Sequence, residues 1–144
     1  MRKIALKEVE INGEKLPYYC DLFVLSKIQE KMSVAQFERD ILGAKPRTDE
    51  EGNIIRDEDG RIQLIFDHYV IETMIFGLTL MINEGITVMK DQEECSLGEV
   101  NEAYIGRCCT MQPAELSDLL SEEFNRCFAV KKNQTTENQK TKTQ

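Results

Sequence analysis

The run Leu64–Gly85, "LIFDHYVIETMIFGLTLMINEG", decides how this chain folds. Its apolar residues cover nearly every face of a helix. Such a helix is either buried by neighbours on several sides or spans a membrane. Asp67 and Glu72 argue against the membrane, because each carboxylate near a bilayer centre costs about 2.5–3.5 kcal/mol on insertion scales. No basic anchors flank the run. Residues 63–85 therefore read as the central helix of a small bundle. Gly77 offers a place for another helix to approach closely, and Asn83-Glu84-Gly85 ends the helix.

Toward the C-terminus, Ile86 to Cys95 reads as a connection. Ser96 followed by Glu99 has capping-box spacing and opens a helix over 96–109, with Val100, Ala103, Tyr104 and Cys108 on one stripe. Pro113 suits the first turn of a last helix over 113–130, whose apolar face is Leu116, Leu119, Leu120, Phe124, Cys127 and Phe128. The remainder, "KKNQTTENQKTKTQ" at 131–144, has no apolar residue and reads as a disordered polar tail.

Toward the N-terminus, "KPRTDEEGNIIRDEDGR" at 45–61 is charged and punctuated by glycine, an acidic excursion from the core expected as a small exposed hairpin or a mobile loop. No internal repeat stands out. Before it, two helices fill 21–43. Asp21 caps the first, with Leu22, Leu25, Ile28 and Met32 at helical spacing. Ser33 and Gln36 restart the second, with Val34, Phe37 and Ile41 on one side, Gly43 as its stop and Pro46 blocking resumption. Residues 4–20 read as a β-hairpin: Asn12-Gly13 favours a type I′ turn, and Pro17 confines the return strand to an edge or keeps it short. The fold class is mainly α with a small N-terminal β-hairpin, an α+β small helical bundle forming one globular domain over 1–130.

Composition narrows the function. The formal net charge is −8, which argues against nucleic acid and anionic membranes as partners. Five cysteines, an odd number, follow an opening "MRKIALKEVE" that has no apolar signal core, so reduced thiols in a cytoplasm are expected. Neither Gly52 nor Gly60 gives an EF-hand register, since position one falls on Arg47 or Ile55. No C-x-x-C pair supports zinc, and Cys108 and Cys109 diverge by about 100° on a helix. The one histidine, His68, has no cysteine tied to it by sequence. Asp67 and Glu72 fall on different helix faces, and no glycine-rich phosphate loop leads from a strand into a helix. Met74, Met81, Met89 and Met111 read chiefly as core. No catalytic residue, cofactor or metal is expected, and the chain reads as a non-enzyme.

The opening "INGEKLPYY", the capped "DLFVLSKIQEKM" and the apolar run resemble the tail assembly chaperones of long-tailed bacteriophages and prophages. The matching positions are Ile11, Asn12, Gly13, Leu25, Ile28 and Glu30, then Met74–Ile82, and "SLGEV" at Ser96–Val100. The resemblance covers most of Ile4 to Val130 and brings no catalytic residues with it. It implies a protein of the bacterial host cytoplasm that binds the helical tape measure protein while the tail tube polymerises. Such a protein also meets the tail tube protein, and it is absent from the finished virion. It further implies a second, frameshifted length, with which Lys131-Lys132-Asn133 is compatible as an adenine-rich tract.

Two other classes compete. One is a self-associating structural or adaptor protein, such as a minor virion component, in which this chain forms a homo-oligomer. The other is a small hydrolase using a cysteine and His68. Phe37, Ile41 and Met74 are the residues expected to bind the helical client, as apolar positions that single-helix wheels leave uncommitted.

Overall fold

Asn12 and Gly13 turn the chain back on itself with φ angles of 54° and 79°, the left-handed conformation that a type I′ hairpin needs at both central residues. The turn joins β1 (Lys7–Ile11) to β2 (Glu14–Tyr18) in an antiparallel register that sets Val9 opposite Leu16. Alternation sends Val9, Ile11, Leu16 and Tyr18 into the core. Asp21 then caps α1 (Leu22–Lys31), accepting the Val24 N–H at 3.1 Å. Ser33 caps α2 (Val34–Leu42), accepting the Gln36 N–H at 3.1 Å. Gly43 ends α2 in the left-handed region at φ 71°. Each of these signals is local, which is why the sequence displays them. In this computed structural model, residues 3–142 are described, with side chains through Phe128.

The acidic excursion is neither a simple hairpin nor a structureless loop. It is three short antiparallel arms meeting at a junction. The stem arm pairs β3 (Lys45–Pro46) with β4 (Leu64–Ile65). The other two are closed by the bridges Thr48–Ile54 and Arg56–Ile62. At the junction three backbone hydrogen bonds form a ring: Arg47 N–H donates to Gln63 O (2.8 Å), Gln63 N–H to Ile55 O (3.0 Å), and Ile55 N–H to Arg47 O (2.9 Å). The three residues are eight apart, and an eight-residue repeat becomes visible: "TDEEGNII" at 48–55 and "RDEDGRIQ" at 56–63. Both turns are built alike. Asp49 Oδ1 accepts from the N–H of Glu51 and Asn53, and Asp57 Oδ1 from Asp59 and Arg61, all at 2.9 Å. Gly52 and Gly60 supply the positive φ. The repeat escapes a reading by composition because its members are ordinary turn residues.

The central helix is displaced toward the C-terminus from where the apolar run placed it. Leu64 and Ile65 belong to β4, and α3 runs Ile71–Gln92, so residues 63–70 lie before the helix and Ile86–Gln92 continue it. Gly85 does not end it. A Cβ there would lie 2.6 Å from the carbonyl carbon and oxygen of Pro17; the glycine lets β2 lie directly on the helix backbone. Tyr19 N–H, just past β2, donates to Met81 O at 2.9 Å. Gly77 plays a related part with a different partner, since a Cβ there would meet the Phe37 ring at 2.7 Å. Met74, Leu78, Met81, Ile82 and Ile86 are buried along this helix. By length and composition alone α3 could cross a bilayer; here β2, α1, α2 and the two later helices pack against it.

Asn83 then disposes of the next connection. Its amide donates to Val100 O (2.9 Å) and its oxygen accepts the Val100 N–H (2.8 Å). The chain from Glu93 to Asn101 stays non-helical, so Ser96 and Glu99 form no capping box. Asn101 instead caps α4 (Glu102–Cys108), accepting the Tyr104 N–H at 2.8 Å. Ile105 is the buried residue of α4, while Ala103 is exposed. Next, α5 (Pro113–Lys142) buries Leu116, Leu120 and Phe124, the last with its ring centroid 5.7 Å from that of Phe37. Its backbone stays helical to Lys142, through most of the segment expected to be a disordered tail. No Pro or Gly follows Pro113 to break it. The architecture among the described residues is five helices with a small N-terminal hairpin, a mainly helical α+β fold.

Candidate partner-binding surface

Phe37, Ile41 and Met74 are core residues. All three have 0% exposure, so none can meet a partner in the folded chain. A wheel drawn for one helix cannot show which neighbours cover it. Here α2 packs against both α3 and α5. Phe37 fills the hollow over Gly77, and Ser117 Oγ donates to the Ile41 carbonyl at 2.6 Å.

Large exposed apolar side chains lie elsewhere. Among the described residues six of the nine fall between Ile54 and Ile71: Ile54, Ile62, Leu64, Ile65, Phe66 and Ile71. Ile54 and Ile62 hold equivalent positions in the two repeat units, each one residue before the junction ring. Ile71 opens a small cleft lined by Ile75, Ile105, Met111, Pro113 and Leu116, between α3, α4 and the start of α5. The tips of the two arms are acidic, with Asp49, Glu50 and Glu51 on one and Asp57, Glu58 and Asp59 on the other. Asp49's carboxyl is held below its ordinary value, chiefly by its hydrogen bond from the Asn53 backbone. The charged, glycine-punctuated pattern of 45–61 does not single these residues out, because they follow neither a helical nor a strand period.

A second apolar spot is Leu22 and Phe23, 70% and 76% exposed at the start of α1. Leu22 therefore lies outside the apolar face expected for that helix. Phe23 borders a cleft shared with Lys27, Leu80, Glu84 and Thr87. There Glu84 is pushed up to about 8, first by burial and then by its hydrogen bond with Asp21 and the negative charges of Asp21 and Asp91.

The best-buried charge is structural. Glu123, 1% exposed, accepts the Cys20 N–H at 2.8 Å and is gripped by Arg126, whose Nη2 lies 2.8 Å from its Oε2. Lys7 approaches the same carboxylate at 3.5 Å. Arg126 also donates to the Cys20 carbonyl at 2.6 Å and lies over the Tyr19 ring at 4.6 Å. The end of the hairpin is thus bound to α5 by charge-assisted hydrogen bonds. Burial, then Glu123, raises the Tyr18 phenol above its usual value.

The remaining residues considered for chemistry are dispersed. His68 is exposed between β4 and α3, with its backbone N–H donating to Gly43 O at 3.0 Å. Asp67 and Glu72 are both exposed. Among the described residues no group of three or more His, Cys, Asp or Glu side chains is placed to hold a metal ion. Comparison with protein-family models, curated proteins and solved structures finds no match for this chain.

Proposed function

We propose that this chain is a tail assembly chaperone of a long-tailed bacteriophage or prophage. In this reading it is a non-catalytic protein of the host cytoplasm. It covers the apolar stripe of the helical tape measure protein while the tail tube assembles, and is absent from the finished virion. The observation that carries the reading is the concentration of exposed apolar side chains along one stretch of chain, Ile54, Ile62, Leu64, Ile65 and Phe66 in and just after the excursion and Ile71 at the start of α3. Exposed large apolar side chains in such number mark interaction sites, and helix-in-groove binding needs an apolar stripe with a polar rim. The acidic arm tips supply such a rim. The family assignment itself rests on the resemblance of Ile11–Gly13, Leu25, Ile28, Glu30, Met74–Ile82 and Ser96–Val100.

The test is co-expression with the product of the nearest large helix-rich gene downstream, followed by size-exclusion chromatography with mass spectrometry. Co-elution, with the client insoluble alone and recovery lost on replacing Ile54, Ile62 and Phe66 by Asp, supports the proposal. A client soluble alone that never co-elutes overturns it. Self-association of this chain through the same three residues would then favour the structural or adaptor reading.

A further inference from the structure

Cys20 and Cys127 are 107 positions apart, yet the fold brings them side by side. Glu123 and Arg126 hold the backbone of Cys20 from both sides, at its N–H (2.8 Å) and its carbonyl (2.6 Å). Cys127 stands one helical turn beyond Glu123, on the same face of α5. Both side chains belong to the same apolar cluster, and Cys127 is a neighbour of the Cys20 thiol. Cys20 is buried, while Cys127 is half-exposed at the rim of the core. The other three cysteines are half-exposed and lie in the 93–101 connection, in α4 and at its end.

We infer that Cys20 and Cys127 form a thiol–disulfide exchange site whose co-reactant is a low-molecular-weight disulfide. Solvent reaches Cys127 first. Its thiolate attacks one sulfur of the small disulfide, forming a mixed disulfide and releasing one small thiolate. The Cys20 thiol loses its proton and attacks the Cys127 sulfur. A Cys20–Cys127 bond forms and a second small thiolate leaves. Two protein thiols are oxidised by two electrons, the small disulfide is reduced to two thiols, and the thiol protons end on the leaving groups. The order follows from exposure. Burial, followed by the neighbouring Cys127, raises the Cys20 thiol far above its ordinary value, which suits the resolving role and not the attacking one. The product closes a loop over most of the chain and locks the hairpin exit onto α5, so the oxidised protein is the more heat-stable form.

The experiment uses the full chain, reduced and then incubated with oxidised glutathione. It is quenched by alkylation in denaturant and read by intact mass and peptide mapping. The expected product is a monomer lighter by two hydrogens, with three alkylated cysteines out of five. Its one cross-linked peptide pair contains Cys20 and Cys127, and its melting temperature rises and returns on reduction. C127S, a change at a half-exposed position, should keep the native circular dichroism spectrum and lose the cross-link. C20S should instead stop at a glutathione adduct on Cys127. A cross-link mapped to Cys95, Cys108 or Cys109, disulfides between chains only, or an adduct on Cys127 that Cys20 never resolves would each overturn the inference.

Discussion

Gly85 of α3 lies against Pro17 of β2 so closely that a Cβ on the glycine would be 2.6 Å from the Pro17 carbonyl. This contact sets how deeply the hairpin seats on the central helix. In a helix interior alanine is ordinarily favoured over glycine by about 1 kcal/mol. Here the contact reverses the sign, because backbone cannot move aside as a side chain can. G85A is expected to destabilise the protein by about 1–3 kcal/mol, the range for overpacking. Urea unfolding with an unchanged slope and a lower midpoint would show it.

Phe37 packs on Gly77 and against Phe124 with no exposure. F37A should cost about 3–5 kcal/mol through lost burial and the cavity left behind. F37D should fail to give a cooperative thermal transition. A folded F37D that had lost only partner binding would contradict the core assignment.

Glu123 is the buried acceptor for Cys20 and Arg126. Replacing it by Ala strands the buried Cys20 N–H, leaves Arg126 without its carboxylate and leaves Lys7 with Glu122 alone, an expected loss of about 1–3 kcal/mol, since both cations keep solvent. E123Q keeps an acceptor and should lose less. A double-mutant cycle of E123Q with R126M, read by denaturant unfolding, separates the pair's coupling from the loss of the Cys20 contact.

Glu84 holds its proton up to about pH 8 in the fold, against an ordinary value of 4.5. The native state therefore binds more protons than the unfolded chain between those values, and stability falls as pH rises through that window. E84Q should flatten the decline and be the more stable protein above pH 8. Thermal melts of both proteins from pH 5 to 9 provide the check. An equal slope in both would reject Glu84 as its source.

The two repeat turns depend on Asp49 and Asp57, each accepting two backbone N–H groups. D57A should speed amide hydrogen exchange across 56–63 and leave the global melting temperature nearly unchanged, because this arm buries little. A large fall in melting temperature would show that the arms are coupled to the core.

Where a structural decision rests on a few adjacent residues, the sequence displays it. Asn12-Gly13, Asp21, Ser33 and Gly43 each do in the fold what their chemistry predicts. The apolar run around Met74–Ile82 announces a helix buried on several sides for a similar reason: every face must find cover. Tertiary contact decided the rest. Gly85 reads as a helix end, but the close seat of β2 makes it a mid-helix glycine. Ser96 and Glu99 read as a cap, but Asn83 holds Val100 extended and passes the cap to Asn101. Phe37, Ile41 and Met74 read as uncommitted until the packing of α2, α3 and α5 covers them. The apolar surface from Ile54 to Ile71 and the meeting of Cys20 with Cys127 have no local signal. They depend on a three-way backbone junction and on a meeting of chain segments 107 positions apart, and only the folded chain brings those partners together.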